Sequence, residues 1–379
     1  MSGSAKTYYP ALTGVRALAA FAVFGFHHRH LHGLGASGAA RALGAVLSEM
    51  HIGVSIFFTL SGYLITARYA GRRFGGAEWR HYLLHRVARI WPVYGALVLA
   101  TFAASYATEG RAHPGGWARE LLLSLTLLKG LAERWYLTGI AQAWSLTVEE
   151  CFYLLAPLVF WLGGRYRPAR AWPPLALGLA ALGLAIYAAW PALGSPLFML
   201  KATLFGRLPE FLLGAAFAWR APRTDQRPSS RATVGGVVLL GLALGLLLAI
   251  QQFTGKVSLD TYPGVLANNL LLPLGTGWLL LGLATEPTRL AQLLGTPLLQ
   301  HLGRASYCFY LLHLGVLPTA LQPLLARWLP PAPALGVLFV LLVLAALALH
   351  RALEQPAYRW LLARFEPRQP ATAAFPLSR

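Results

Sequence analysis

The sequence predicts an all-α, polytopic membrane protein of about ten transmembrane helices, and three observations predict it. Hydrophobic residues make up 56% of the 379 positions against 12% charged ones, and the mean hydropathy is +0.54. A chain so apolar cannot turn its surface to water. Apolar stretches long enough to cross a bilayer recur from the amino terminus to the last few dozen residues, and Lys and Arg gather in the short breaks between them. The net charge of +19 therefore reflects membrane topology, because no basic domain or tail is long enough to track nucleic-acid phosphates. The two cysteines, Cys151 and Cys308, both sit in apolar segments without a CxxC pair, which supports neither a disulfide framework nor a zinc site, and no metal ligand is assigned.

Taken in order, the predicted spans are 10–31, 48–67, 90–109, 147–163, 173–191, 204–219, 233–252, 263–284, 305–326 and 333–352. The first follows a weakly charged start with only Lys6 and is interrupted by Arg16, unlike a cleaved signal peptide. The stretch 117–131, WARELLLSLTLLKGL, has too short an apolar run between Glu120 and Lys129 to cross and reads as re-entrant or interfacial. Residues 1–366 thus form one transmembrane domain, and the Pro- and Ala-rich residues 367–379 read as a disordered tail. No internal repeat and no paired broken helices of the transporter kind are evident.

Orientation follows from the cations. With the amino terminus inside, 21 Lys and Arg fall in inside loops and 9 in outside loops, with Arg16 and Arg207 within spans. Both termini are expected to be cytoplasmic. A crossing by 117–131 would invert every later loop and reverse the bias, so that segment is expected not to cross.

Polar residues inside such a chain are the ones to explain. PALTGVRALAAFAVFGFHHRH places Arg16 and His27 eleven residues apart, so they return to within about 20° of one helix face, roughly 16 Å apart. His27 then lies near mid-membrane depth, or the histidines snorkel at the far interface. In HIGVSIFFTLSGYLITARY the small Gly53, Ser61 and Gly62 suit close helix packing. In HRVARIWPVY, Arg86 and Arg89 share a face at i and i+3, which suits both a topology signal and a grip on a phosphorylated donor. WSLTVEECFYLLAP offers Trp144, Ser145 and two adjacent carboxylates. Thr147 with Glu150 reads as a capping box, leaving Glu149 at the lip of an apolar span to position a histidine or bind an acceptor hydroxyl. GRLPEFLLG sets Arg207 and Glu210 a turn apart, as an intramembrane ion pair or a substrate contact. LGRASYCFYLLH sets Tyr307, Tyr310 and His313 near one face, lining a cavity or pairing with neighbours.

Together these segments resemble acyltransferase family 3, the integral-membrane acyltransferases that modify bacterial surface polysaccharides and some secreted small molecules. The resemblance covers nearly the whole chain. It rests on LTGVRALAAFAVFGFH, with Arg16 and His27 in the family's Arg-x10-His pattern, on FFTLSGYLI, on RVAR followed by IWPVY, and on WSLTVEECFYL, with weaker echoes in RLPEFLLG, LGRASYCFYLLH and EQPAYRW. It implies transfer of an acyl group, usually acetyl from acetyl-CoA, to a hydroxyl of a carbohydrate, glycolipid or related small-molecule acceptor in a bacterial cytoplasmic membrane. It further implies the first-span histidine as base and the RVAR arginines as donor ligands. His28 beside His27 leaves the base open at one position. Many members also carry an extracytoplasmic esterase-like domain, which this sequence lacks, so handover to one would need a separate partner.

A mechanism fits that outline. Acyl-CoA is polyanionic and would meet Arg16, Arg86, Arg89 and the other cytoplasmic arginines, while its thioester arm extends along the first helix. Neutral His27 takes the acceptor's proton, and Glu149 orients the imidazole in the manner of a triad's third member. Trp144, Ser145, Arg207, Glu210, Tyr310 and His313 are the candidate acceptor contacts. The competing classes are an acyl-group transporter or flippase using the same charges and a non-catalytic membrane subunit whose arginines and carboxylates are all structural pairs, and a macrolide-like small molecule is the alternative acceptor.

Overall fold

The computed structural model describes residues 8–29, 38–69, 75–221 and 229–366, and all regular structure there is helical. The tail from 367 onward lies outside the described residues. In chain order the helices are α1 (Pro10–His27), α2 (Gly38–Ser48), α3 (Ile52–Tyr69), α4 (Gly76–Ser105), α5 (Pro114–Leu125), α6 (Trp144–Tyr166), α7 (Pro168–Ala189), α8 (Pro196–Ala202) and α9 (Leu204–Arg220). They continue as α10 (Arg231–Thr254), α11 (Tyr262–Leu266), α12 (Leu272–Thr285), α13 (Arg289–Leu294), α14 (Pro297–Arg304), α15 (Ser306–Leu312), α16 (Val316–Ala326), α17 (Pro331–Leu349) and α18 (Gln355–Phe365).

Among the described residues, eight segments are long and apolar enough to cross a bilayer, nine if the bent pair α15–α16 is one span. The protein is an all-α integral membrane protein. The remaining predicted span, 204–219, is α9, whose 17 residues rise about 26 Å and hold Arg207 and Glu210 in their interior. The 117–131 stretch forms the twelve-residue α5 and then a left-handed turn at Leu127 (φ 58°) into a 3-10 turn, too short to cross.

Three local departures bear on the site. α4 starts at Gly76, fourteen residues before the apolar span predicted from 90, so Arg86 and Arg89 stand on a helix inside the bundle and not in a loop. Its first turns are helical in period but too polar to register as a span. α6 starts at Trp144 after a 3-10 turn, Ala141–Ala143, so Thr147 is inside the helix and caps nothing. Its hydroxyl instead donates to the Leu127 carbonyl at 2.5 Å, and the expected Thr147–Glu150 capping box is not formed. Finally, the continuous span predicted over 305–326 is broken: α15 and α16 meet at 69°, across a Gly315 at φ 101° that a side chain would strain.

One apolar core runs through α1, α3, α4, α6, α9, α15 and α17. Small residues let backbones touch within it, as the FFTLSGYLI pattern predicts. A Cβ on Gly62 would fall 2.1 Å from the Phe211 carbonyl oxygen, and one on Gly214 would fall 1.9 Å from that of Thr59, so α3 and α9 lock through paired glycines.

Candidate active site

His27 is the last residue of α1, and its 18-residue helix rises about 27 Å. It therefore lies at the far end of the span and not at mid-depth, because the helix begins only six residues before Arg16. Its Nδ1 lies 3.0 Å from the Val23 carbonyl and 3.1 Å from Nε2 of His313. His313 Nδ1 lies 2.7 Å from the Tyr310 carbonyl and must donate to it, so its Nε2 is a lone pair. The consistent assignment has His27 Nδ1–H shared between Val23 and His313, leaving His27 Nε2 as the basic nitrogen. His313 is fully buried and sits at the α15 break, which ends the helix at the imidazole. His28 is turned elsewhere, stacked on Phe24 at 4.2 Å with Nδ1 on the Phe24 carbonyl. The structure thus brings together His27 and His313, which the sequence set 286 residues apart.

Glu149 is not the partner of His27. It accepts from Ser61 at 2.9 Å and from Tyr153 through a short hydrogen bond. α3 runs antiparallel to α1, with Gly53 against Ala19 and Val23, and Ser61 lies eight residues farther along it, near the level of Arg16. Glu149 is thus about three helical turns from the imidazole it was expected to orient. It belongs to a second cluster. Arg16 lies in the field of Arg89, Glu149 and Glu354, and Arg86 in that of Glu149, with its guanidinium 5.2 Å from the Tyr153 ring. Among the described residues none of Arg16, Arg86 and Arg89 forms an ion pair, and Arg86 Nε and Glu150 Oε1 are buried without a hydrogen-bond partner. The interior here holds guanidinium donors to spare.

Ser145 and Tyr310 hydroxyls meet at 2.7 Å, and both also reach the Gln142 carbonyl. Gln142 in turn donates to the Tyr310 and Leu311 carbonyls, so α15 is tied to the start of α6 just ahead of its break. Arg207 and Glu210 form a buried ion pair at 2.6 Å, closed by Asn269 at 2.7 Å and by Ser55 and Asn268. The Arg207 guanidinium also lies 5.8 Å from the Trp144 ring. The pair belongs to a polar knot of α3, α9 and the Ala267–Leu271 π-turn, with Arg207 Nε and Glu210 Oε2 buried and without a hydrogen-bond partner.

Several polar residues escape a motif-based reading. Gln142 is a lone amide and Asn268–Asn269 an adjacent pair in apolar text. His51, Glu49 and Ser258 form a buried cluster at the His27 end, with His51 Nε2 3.0 Å from Glu49 and the Ser258 hydroxyl bonded to the same carboxylate. Glu354, from EQPAYRW, accepts from Cys308 at 3.1 Å and from His350 at 2.8 Å. An open groove of about 490 Å³ along Arg165, Tyr166, Arg167 and Arg170 contains none of these groups.

The architecture is that of a membrane protein with several polar clusters in its interior, among them a partly buried cationic one on Arg16, Arg86 and Arg89 and one built on the His27–His313 pair. The chain belongs to acyltransferase family 3: the family profile, described as an acyltransferase domain, matches residues 9–351. It is 27% identical to acyltransferase MdmB of Streptomyces mycarofaciens, over 94% of this chain and 93% of that one. It is 26% identical to the O-acetyltransferase OatA of Staphylococcus aureus and to the putative peptidoglycan O-acetyltransferase YrhL of Bacillus subtilis, over 81% and 77% of this chain. It spans only 50% and 49% of those two proteins. No solved structure matches. The protein is a membrane acyltransferase.

Proposed function

We propose that the protein transfers a short acyl group, acetyl in the first instance, from acyl-CoA to a hydroxyl of a carbohydrate or related acceptor. The observation that carries this reading is the set of three guanidiniums, Arg16, Arg86 and Arg89, each partly buried and free of ion pairs among the described residues. Unspent guanidinium forks inside a membrane protein suit a polyanionic guest, and the phosphates of CoA are one. The face of α1 joins that cluster to His27 over about 16 Å, a path for the extended thioester arm. Similarity to the O-acetyltransferase OatA and the putative peptidoglycan O-acetyltransferase YrhL supports an oxygen acceptor, and YrhL supports a glycan.

In this reading the acceptor oxygen attacks the thioester carbonyl while His27 Nε2 takes its proton. The C–S bond breaks, and the CoA thiolate leaves and recovers the proton from the imidazolium. His313 accepts from His27 Nδ1–H throughout and steadies the cation. Ser145 and Tyr310, next to His313, are the candidate acceptor contacts, whereas Arg207 and Glu210 would act on the acceptor only by shaping Trp144. Glu149 sits at the donor end, balancing Arg16 and Arg86. With the arginines on the cytoplasmic side of a bacterial inner membrane and both termini inside, donor and acceptor enter from opposite ends of α1.

Purified Arg86→Lys and Arg89→Lys proteins test the donor site. Lys keeps the charge and loses the fork, so CoA-thioester affinity is expected to fall about tenfold for at least one of them, with insertion unchanged. Unchanged affinity in both would remove these arginines from the donor site.

A further inference from the structure

The i, i+4 histidines of HYLLH on α4 play no part in the chemistry above. His81 and His85 share a face of the helix, with rings 4.4 Å apart, and α18 brings the Glu366 carboxylate onto that face. His81 Nδ1 lies 3.1 Å and His85 Nε2 3.6 Å from the same oxygen, Glu366 Oε1, and all three ligand atoms fall within 4.8 Å of one another. Ligands about 2.0–2.1 Å from a tetrahedral ion stand about 3.3 Å from each other, the spacing that these two edges bracket.

The decisive atom is His85 Nε2. His85 is 8% exposed, and this nitrogen is buried without a hydrogen-bond partner. Its other nitrogen, Nδ1, lies 2.7 Å from the hydroxyl of Tyr358 on α18. An imidazole that donates through Nδ1 turns a lone pair outward at Nε2, the arrangement in which metal-binding histidines are held by an outer hydrogen bond. We propose that His81, His85 and Glu366 bind a divalent zinc-class ion, which pins α18 to α4 immediately before Arg86. Two imidazoles and one carboxylate suit zinc, and three protein ligands with one at a partly exposed edge leave the fourth position to water.

The other His/Cys/Glu cluster, Cys308, His350 and Glu354, is a weaker candidate. There the carboxylate already accepts from both neighbours, and His350 Nε2 is bonded to Gln355 at 2.9 Å. Nothing in it waits for an ion. Arg68 is an electrostatic neighbour of His85 and opposes a cation, but it is exposed and screened by water.

The test uses the full chain, purified in detergent without a polyhistidine tag, stripped with EDTA and titrated with Zn²⁺ or Co²⁺. One equivalent of zinc per chain by elemental analysis is expected, with Co²⁺ giving the visible absorption of a tetrahedral site. His81→Gln and Glu366→Gln should each weaken binding at least tenfold, and Tyr358→Phe about tenfold through the outer hydrogen bond. Glu366 lies at the exposed end of α18, so Glu366→Gln keeps the fold and gel filtration verifies it. Absence of stoichiometric metal overturns the proposal. So does affinity unchanged by His81→Gln and Glu366→Gln, or metal that is lost in Cys308→Ser instead.

Discussion

Replacing His313 by Ala is the sharpest probe of the histidine pair, because His313 need not touch either substrate. It removes the acceptor 3.1 Å from His27 Nδ1, and His313 is fully buried, so bulk water does not take its place. With a neutral donor such a bond contributes about 0.5–1.5 kcal/mol; with an imidazolium donor it contributes about 1.5–3 kcal/mol. If His27 becomes cationic as it takes the acceptor proton, kcat loses the difference between the two figures, about 1–1.5 kcal/mol, and falls about five- to tenfold. His313→Gln, which offers an acceptor oxygen, should recover most of that loss. The reference is His27→Ala, expected to cost about two to four orders of magnitude, with His28→Ala near wild type. The assay is acceptor-dependent release of CoA thiol by protein reconstituted in liposomes, with kcat and KM read separately. A His313→Ala enzyme within threefold of wild-type kcat, beside an inactive His27→Ala, would refute a base steadied by His313. An active His27→Ala would refute the base itself.

Other consequences are independent of that pair. Gly214→Ala drives a methyl to 1.9 Å from the Thr59 carbonyl and should destabilise the α3–α9 contact by about 1–3 kcal/mol, read as a lower melting temperature in detergent. Burial pushes the Lys129 ammonium from its ordinary 10.5 down to about 7, where it donates to the Thr138 and Ile140 carbonyls. The unfolded chain then binds the extra proton between those two values, so stability should rise with pH across that window, and Lys129→Met should flatten the rise. For topology, cysteines placed at exposed Arg80 and Arg165 should resist an impermeant thiol reagent in intact cells while one at exposed Arg119 reacts; labelling of the first two from outside would invert the assignment.

What the sequence made legible was whatever periodicity and composition can encode. Arg16, His27, Gly62 and the RVAR pair were readable because a helix repeats locally and a charge in apolar text is conspicuous. Pairings between segments were not. Glu149 reads as a partner for His27 because both are ionisable and near span ends, but order along the sequence says nothing about height along antiparallel helices. The register of α3 against α1 puts Ser61, and with it Glu149, beside Arg16. His313 was visible only as one polar tip among three, and the break that presents it depends on Gly315, an ordinary residue in an apolar run.

The separation of the two centres follows from how α1 is held. A Cβ on Gly53 would lie 2.3 Å from the Ala19 carbonyl, and one on Gly303 would lie 1.9 Å from that of Thr13, so α3 and α14 both touch the α1 backbone directly. A helix clamped by backbone on two sides cannot slide to bring Arg16 toward His27, since interfaces this close do not deform continuously. In the proposed reaction the span between cation cluster and base is therefore covered by the donor, its anionic end on the arginines and its thioester at the imidazole. The break at the end of α15 sets the His313 imidazole against His27 Nδ1, at the opposite end of α1 from Arg16.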